Sequence, residues 1–309
     1  MNSFIYTHLR PNTFSKGFKS THISKNFIPD YFFKSMFQTR KLNPDAKIYL
    51  LTDDEVNPGI QEQIGITLVP FSKDDFPHVR LLNEVVKFKN QVGFGNNPFW
   101  FITFIRYMLC EYLCDRFNLD SFCFIEGDNL IYFNVDEVMN RYCQNSLSVC
   151  NETTPGNYCS GVYFCSNTQT LRELNDFNLE KLKGGVRGYT DMNSIFAFQQ
   201  SRKSLTILPG LPFDTTGSLL FDMSGYGQFL GGENHRRQNS YIDPKHRFTK
   251  LLISKYEHGK DFDIFKGDRC FNLRFMDKTY DLFNIHAHNK ANFDKFFNYV
   301  EEYKDEVIK

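Results

Sequence analysis

Apolar and polar positions along this chain fall into short blocks whose period changes. Ser3 to Leu9, S-F-I-Y-T-H-L, reads as a strand, and a polar loop from Arg10 to Lys19 separates it from a helical stretch around Phe27 to Arg40. The turn N-P-D-A leads into the apolar run Ile48 to Leu51, which stops at Thr52-Asp53-Asp54, and I-T-L-V-P-F at 66 to 71 forms a third short strand. This βαβ rhythm predicts a parallel sheet, and ligands of such sheets collect beyond the carboxyl ends of the strands. Thr7, His8, Asp53 and Asp54 would lie there.

Phe99 to Phe117 is apolar nearly all round and predicts a buried helix. One stripe differs: Thr103, Arg106, Cys110 and Cys114 recur at three- and four-residue spacing. An unpaired guanidinium on a core-facing helix is costly, so Arg106 requires an anionic partner. The second half is choppier. It reads as a strand from Tyr158 to Cys165, a helix from Thr168 to Leu182, a helix from about Asp191, glycine-rich loops through G-Q-F-L-G-G at 227 to 232, and a late strand Tyr280 to Ile285 running into H-A-H-N-K. No repeat, heptad or linker composition interrupts it, so residues 1–309 are read as a single domain.

Composition narrows the function classes. Lys plus Arg and Asp plus Glu number 36 each, so no net field draws the chain to nucleic acid or to an anionic membrane. With 34 Phe and 16 Tyr, thick aromatic packing is expected. The eight cysteines include no CxxC pair and several sit in apolar runs, which reads as reduced thiols packed like small hydrophobes. The N-terminus lacks the charged head and apolar core of a signal peptide, and no apolar run approaches the roughly 20 residues that span a bilayer. A cytoplasmic protein is expected, and the sequon Asn151-Glu152-Thr153 then carries no weight.

Chemistry concentrates in S-F-C-F-I-E-G-D-N-L-I-Y-F-N, Ser121 to Asn134, where Glu126, Gly127 and Asp128 interrupt two apolar runs. The acids would close an interior strand in a tight glycine-bearing turn. Two carboxylates so close repel each other unless a positive charge lies between them, and carboxylate oxygens suit Mg2+ or Mn2+. The plainer alternative is a solvated turn with both acids exposed.

An acid-x-acid motif closing a central strand, preceded by a helix with an inward Arg and by a βαβ half, resembles the D-x-D region of GT-A-fold nucleotide-sugar glycosyltransferases. The resemblance implies an α/β fold, a Rossmann-type mixed and mostly parallel sheet flanked by helices. It implies a nucleotide-sugar-binding half over 1–135 and an acceptor-binding half over 136–309. It assigns the metal to Asp128, with Glu126 in place of the usual first Asp, reaching metal or ribose. Family members add a C-terminal His to the metal and a Lys to the phosphates. His286 and His288 are both candidates, since either could turn inward; His288 is the expected metal ligand and Lys290 the expected diphosphate contact.

By the same resemblance Thr7, His8 and Asp53 hold base and ribose, and Arg106 helps neutralise the diphosphate. Cys159-Ser160-Gly161 stands where the family has N-S-G beside the sugar pocket, and Asp191 in Y-T-D-M-N-S is the expected catalytic or sugar-binding acid, or else an N-cap for its helix. The segment 227 to 232 reads as an acceptor-side loop. His235, Arg236, Arg237, His246 and Arg247 are acceptor-cleft candidates but read better as a solvated face. The implied activity is a metal-dependent transfer from a nucleotide-diphosphate sugar, UDP-sugar expected, to a glycan or glycoconjugate hydroxyl, with retention favoured over inversion. Two rivals are a metal-dependent nucleotidyl or phosphoryl transferase, for which F-S-K-G-F-K at 14 to 19 is a faint phosphate loop, and a non-catalytic nucleotide-sugar-binding protein.

Overall fold

Alternation along the first strand explains the architecture. In β1 (Ser3–His8), Phe4 and Tyr6 point into one apolar core while Ile5 points into another. The same split recurs in β2 (Lys47–Thr52), with Ile48 and Leu50 against Tyr49 and Leu51. A strand buried on both faces reads as a continuous apolar run, which is why these segments stand out in the sequence. The computed structural model describes residues 3–10, 28–93, 98–143, 147–151, 157–202, 205–231, 256–299 and 302–303.

The remaining strands are β3 (Ile66–Pro70), β4 (Phe122–Ile125), β5 (Asn129–Ile131), β6 (Leu147–Asn151), β7 (Tyr158–Cys165), β8 (Leu205–Leu208), β9 (Leu219–Leu220), β10 (Phe262–Lys266), β11 (Phe271–Phe275), β12 (Lys278–Leu282) and β13 (Asn284–His286). The central sheet has the order β3-β2-β1-β4-β7-β6-β8. Its pairings are parallel except where β7 runs antiparallel to β4 and β6. It is the mixed, mostly parallel α/β sheet that the resemblance implies. A four-stranded sheet, β10-β11-β12-β9, and a two-stranded one, β13-β5, accompany it.

Helices cover both faces. α1 (Asp30–Leu42) and α2 (Pro58–Ile64) pack Phe32, Phe33, Met36, Ile60 and Ile64 into the Phe4 and Tyr6 core. After a short α3 (Leu82–Val85), the long α4 (Pro98–Phe117) lies in the other core with α6 (Thr168–Lys183) and α7 (Asp191–Arg202); α5 (Val135–Tyr142) and α8 (Gly225–Gly231) complete the set. Besides Arg106, α4 buries Glu111, which receives Arg80 Nη2 at 3.0 Å and Asn175 Nδ2 at 2.7 Å. The eight cysteines are all buried and unbridged. No helix among the described residues is long and apolar enough to cross a membrane.

Two expectations change. The late strand is not continuous: β12 ends at Leu282 and β13 begins at Asn284, because β12 pairs with β11 and β9 whereas β13 crosses to β5. Residues 225–231 form α8 rather than a loop. Asp222 supplies the reason, accepting from Tyr226 N and Gly227 N at 2.9 Å each and so satisfying two of the helix's orphan donors.

Candidate metal and donor site

The acidic turn sits at the carboxyl edge of the central sheet. Glu126 N donates to Gly161 O on β7 at 2.7 Å, and Asn129 N donates back to Glu126 O at 2.9 Å, which closes the turn. Gly127 is not in the left-handed region. Its smallness is needed for space: a Cβ there would lie 1.9 Å from Phe32 Cδ2 on α1. The Phe32 ring also meets His8 edge-on, centroids 5.1 Å apart, so it links the turn to the end of β1.

The third member of the cluster arrives from β13. His286 pairs with Asn129 across the small sheet, and its Nε2 comes 3.2 Å from Asp128 Oδ1 and 3.6 Å from Glu126 Oε2. Among the described residues, Glu126, Asp128 and His286 offer ligand atoms all within 4.8 Å of one another. The structure therefore brings His286 within ligand distance of the carboxylates, while the expected His288 contributes to the field that lowers Asp128. The physical reason is register, since β13 ends at His286 and the chain then leaves the strand. The His288 ring lies tilted against that of His286, with 4.2 Å between centroids.

Lys290 takes part too. Its Nζ is paired with Asp128 Oδ2, donates to Ala287 O at 2.9 Å and lies 5.4 Å from the centre of the Tyr31 ring. Burial alone would raise the Asp128 carboxyl, but Lys290 and His286 outweigh it and hold Asp128 well below the usual carboxylate range. Burial likewise works against protonation of His286, yet Asp128 and then Glu126 raise its pKa above the ordinary value.

Arg106 has found its anions. Nη1 lies 2.7 Å from Glu126 Oε1 and Nη2 lies 3.1 Å from Asp191 Oδ2, while Nε donates to Thr103 O at 2.7 Å. The residue is 3% exposed, which makes it a buried clamp between two acids rather than an open diphosphate contact. Asp191, also 3% exposed, accepts from Ser160 Oγ at 2.6 Å and Thr103 Oγ1 at 3.4 Å. The capping role falls to Thr190, whose Oγ1 accepts from Asn193 N at 3.3 Å while Asn193 Oδ1 accepts from Thr190 N at 2.8 Å.

Cys159-Ser160-Gly161 does border the cluster. A Cβ on Gly161 would lie 2.8 Å from Glu126 Oε2 and 3.1 Å from His286 Cε1. Thr7, His8 and Asp53 occupy the carboxyl ends of the adjacent β1 and β2. There His8 Nε2 lies 3.3 Å from Asp54 Oδ2, and Asp53 accepts the backbone N–H of Arg10 at 3.0 Å. The segment 14–19 and residues 235–237, 246 and 247 lie outside the described residues.

Two carboxylates and one imidazole nitrogen form a donor set suited to Mn2+ or Mg2+. The fit is also electrostatic, because the carboxylates that such an ion would neutralise here lean on Arg106 and Lys290. No family model matches the chain, and no curated protein matches it. Solved structures similar to it are glycosyltransferases. Mouse xyloside xylosyltransferase 1 is 7% identical with a TM-score of 0.43, over 68% of this chain and 86% of that one. The galactosyltransferase LgtC is 11% identical with a TM-score of 0.41, over 79% and 85%. GlyE from Streptococcus pneumoniae TIGR4 is 14% identical with a TM-score of 0.40, and the match spans 67% of this chain but 46% of GlyE.

Proposed function

We propose that this protein is a metal-dependent glycosyltransferase that moves a sugar from a nucleotide-diphosphate sugar, a UDP-sugar, to a hydroxyl of a glycan or glycoconjugate. The observation that carries the reading is the convergence of Glu126, Asp128, His286 and Lys290, from two distant parts of the chain, at the carboxyl edge of a mostly parallel sheet. Asp128 and His286, with Glu126 beside them, would hold a divalent cation. Such an ion supplies positive charge where the departing diphosphate accumulates negative charge.

The chain's own groups do the rest. Lys290 brings a cation to the same edge, and Arg106 holds Glu126 at the cluster while Asp191 balances its remaining charge. Thr7, His8 and Asp53, at the ends of β1 and β2, receive the base and ribose in this reading. Retention is favoured because Asp191, the acid that inversion would use as base, is buried and ion-paired.

A panel of nucleotide sugars incubated with Mn2+ or with EDTA tests the proposal, with released nucleoside diphosphate and free sugar as readouts. Metal-dependent turnover that disappears in Asp128→Asn is expected. Turnover by the wild type that is indifferent to EDTA would overturn the metal-bridge reading.

A further inference from the structure

Asp222 is a carboxylate that no step above uses, yet it is 2% exposed and fully engaged with backbone. Its Oδ1 accepts from Tyr226 N at 2.9 Å; its Oδ2 accepts from Gly227 N at 2.9 Å and from His286 N at 2.7 Å. Burying a carboxylate is costly, and although burial still raises its pKa, the three N–H donors offset part of that cost. One of the three belongs to the residue whose imidazole faces Asp128 and Glu126.

The grip on His286 has a second half. A Cβ on Gly227 would lie 2.0 Å from His286 O, so α8 packs its backbone directly on that carbonyl. The N–H of His286 is thus held by Asp222 and its carbonyl is covered by Gly227. A third contact fixes the floor beneath. Asn284 Oδ1 accepts Asp222 N at 2.9 Å and Asn284 Nδ2 donates to Asn129 Oδ1 at 2.9 Å, at the start of β5 directly after Asp128. Asn129 and Asn284 are themselves buried, so the network cannot exchange its partners for water without opening the site.

We infer that Asp222 is a positioning residue: through the His286 backbone and the first turn of α8 it sets the imidazole at the distance from Glu126 and Asp128 that divalent-cation binding requires. Support residues of this kind change metal affinity by about 10- to 100-fold when lost. This inference rests on the metal reading above, and a metal titration separates the two.

The test uses the whole chain, free of donor, with Mn2+ binding followed by the loss of the free-ion EPR signal and folding followed by circular dichroism. Asp222→Asn keeps the size of the side chain but loses the charge, and Gly227→Ala leaves the carboxylate intact while displacing the His286 carbonyl. Both are expected to weaken Mn2+ binding at least tenfold at temperatures where each is folded. In turnover, the Mn2+ concentration for half-maximal rate should rise while kcat at saturating Mn2+ stays within threefold, a split that general destabilisation does not produce. Folded variants that bind Mn2+ as tightly as wild type overturn this inference alone. A wild type that takes up no Mn2+ overturns the metal reading and this inference with it.

Discussion

The guanidinium of Arg106 stands 2.7 Å from Glu126, so the first acid of the turn is tied to the core of the protein before any ligand arrives. Arg106 reaches Asp191 with its other terminal nitrogen, and neither of these two residues has water to fall back on. Removing one partner of a buried pair leaves the other uncompensated, at a cost of about 3–5 kcal/mol. Arg106→Ala is therefore expected to lower the urea midpoint sharply, and Arg106→Ala with Asp191→Asn to recover part of the loss. Equal midpoints for wild type and Arg106→Ala would refute the clamp.

His286 and His288 separate cleanly. His286→Ala removes the nitrogen 3.2 Å from Asp128 and should weaken Mn2+ binding by about 10-fold or more, the scale of lost metal-site contacts. His288→Ala takes away a ring tilted against His286 and should leave affinity within about threefold. Isothermal titration of the two variants checks the order, and the reverse order would return the ligand to His288.

The pH dependence of the metal-free protein has two limbs of opposite sign. His286 is raised above its ordinary pKa, so its contribution is complete below about pH 6.5 and is lost as pH rises through the folded-state value. Asp128 is depressed, so its contribution is present above about pH 3.9 and is lost as pH falls through its own folded-state value. Thermal midpoints recorded in EDTA should decline on the alkaline side in wild type, and that limb should flatten in His286→Gln.

Gly127 gives a packing test. A Cβ there meets the Phe32 ring at 1.9 Å, and overpacking of this kind typically costs about 1–3 kcal/mol. Gly127→Ala should be markedly less harmful in a Phe32→Ala background, because the clash is with that ring. A double-mutant cycle showing plain additivity would mean that the turn yields in some other way.

The sequence made the double-sided strands legible because Phe4, Ile5, Ile48 and Leu50 need no partner information to be recognised as core. Arg106 was legible as a charge in need of an anion, while which anions it meets, Glu126 and Asp191, only the fold decides. His286 was hidden by a non-local fact. Nothing local to K-T-Y-D-L-F-N-I-H says that the chain leaves one sheet at Phe283 and joins Asn129 in another. The glycines of 225–231 read as a loop because the carboxylate that caps the helix, Asp222, precedes it by several residues and is judged only once its burial is known. Asp191 looked like an available acid for a similar reason: its distance from Arg106 is 85 residues along the chain and 3.1 Å in space.

The pairing of β5 with β13 also sets a schedule for synthesis. A ribosome that has just added Asp128 must add another 162 residues before Lys290 exists, and His286 comes hardly earlier. Through that interval the nascent chain carries both carboxylates with Arg106 as their one cation from this cluster. Every product of premature termination that ends between residues 129 and 285 would keep the acidic turn and lose its imidazole.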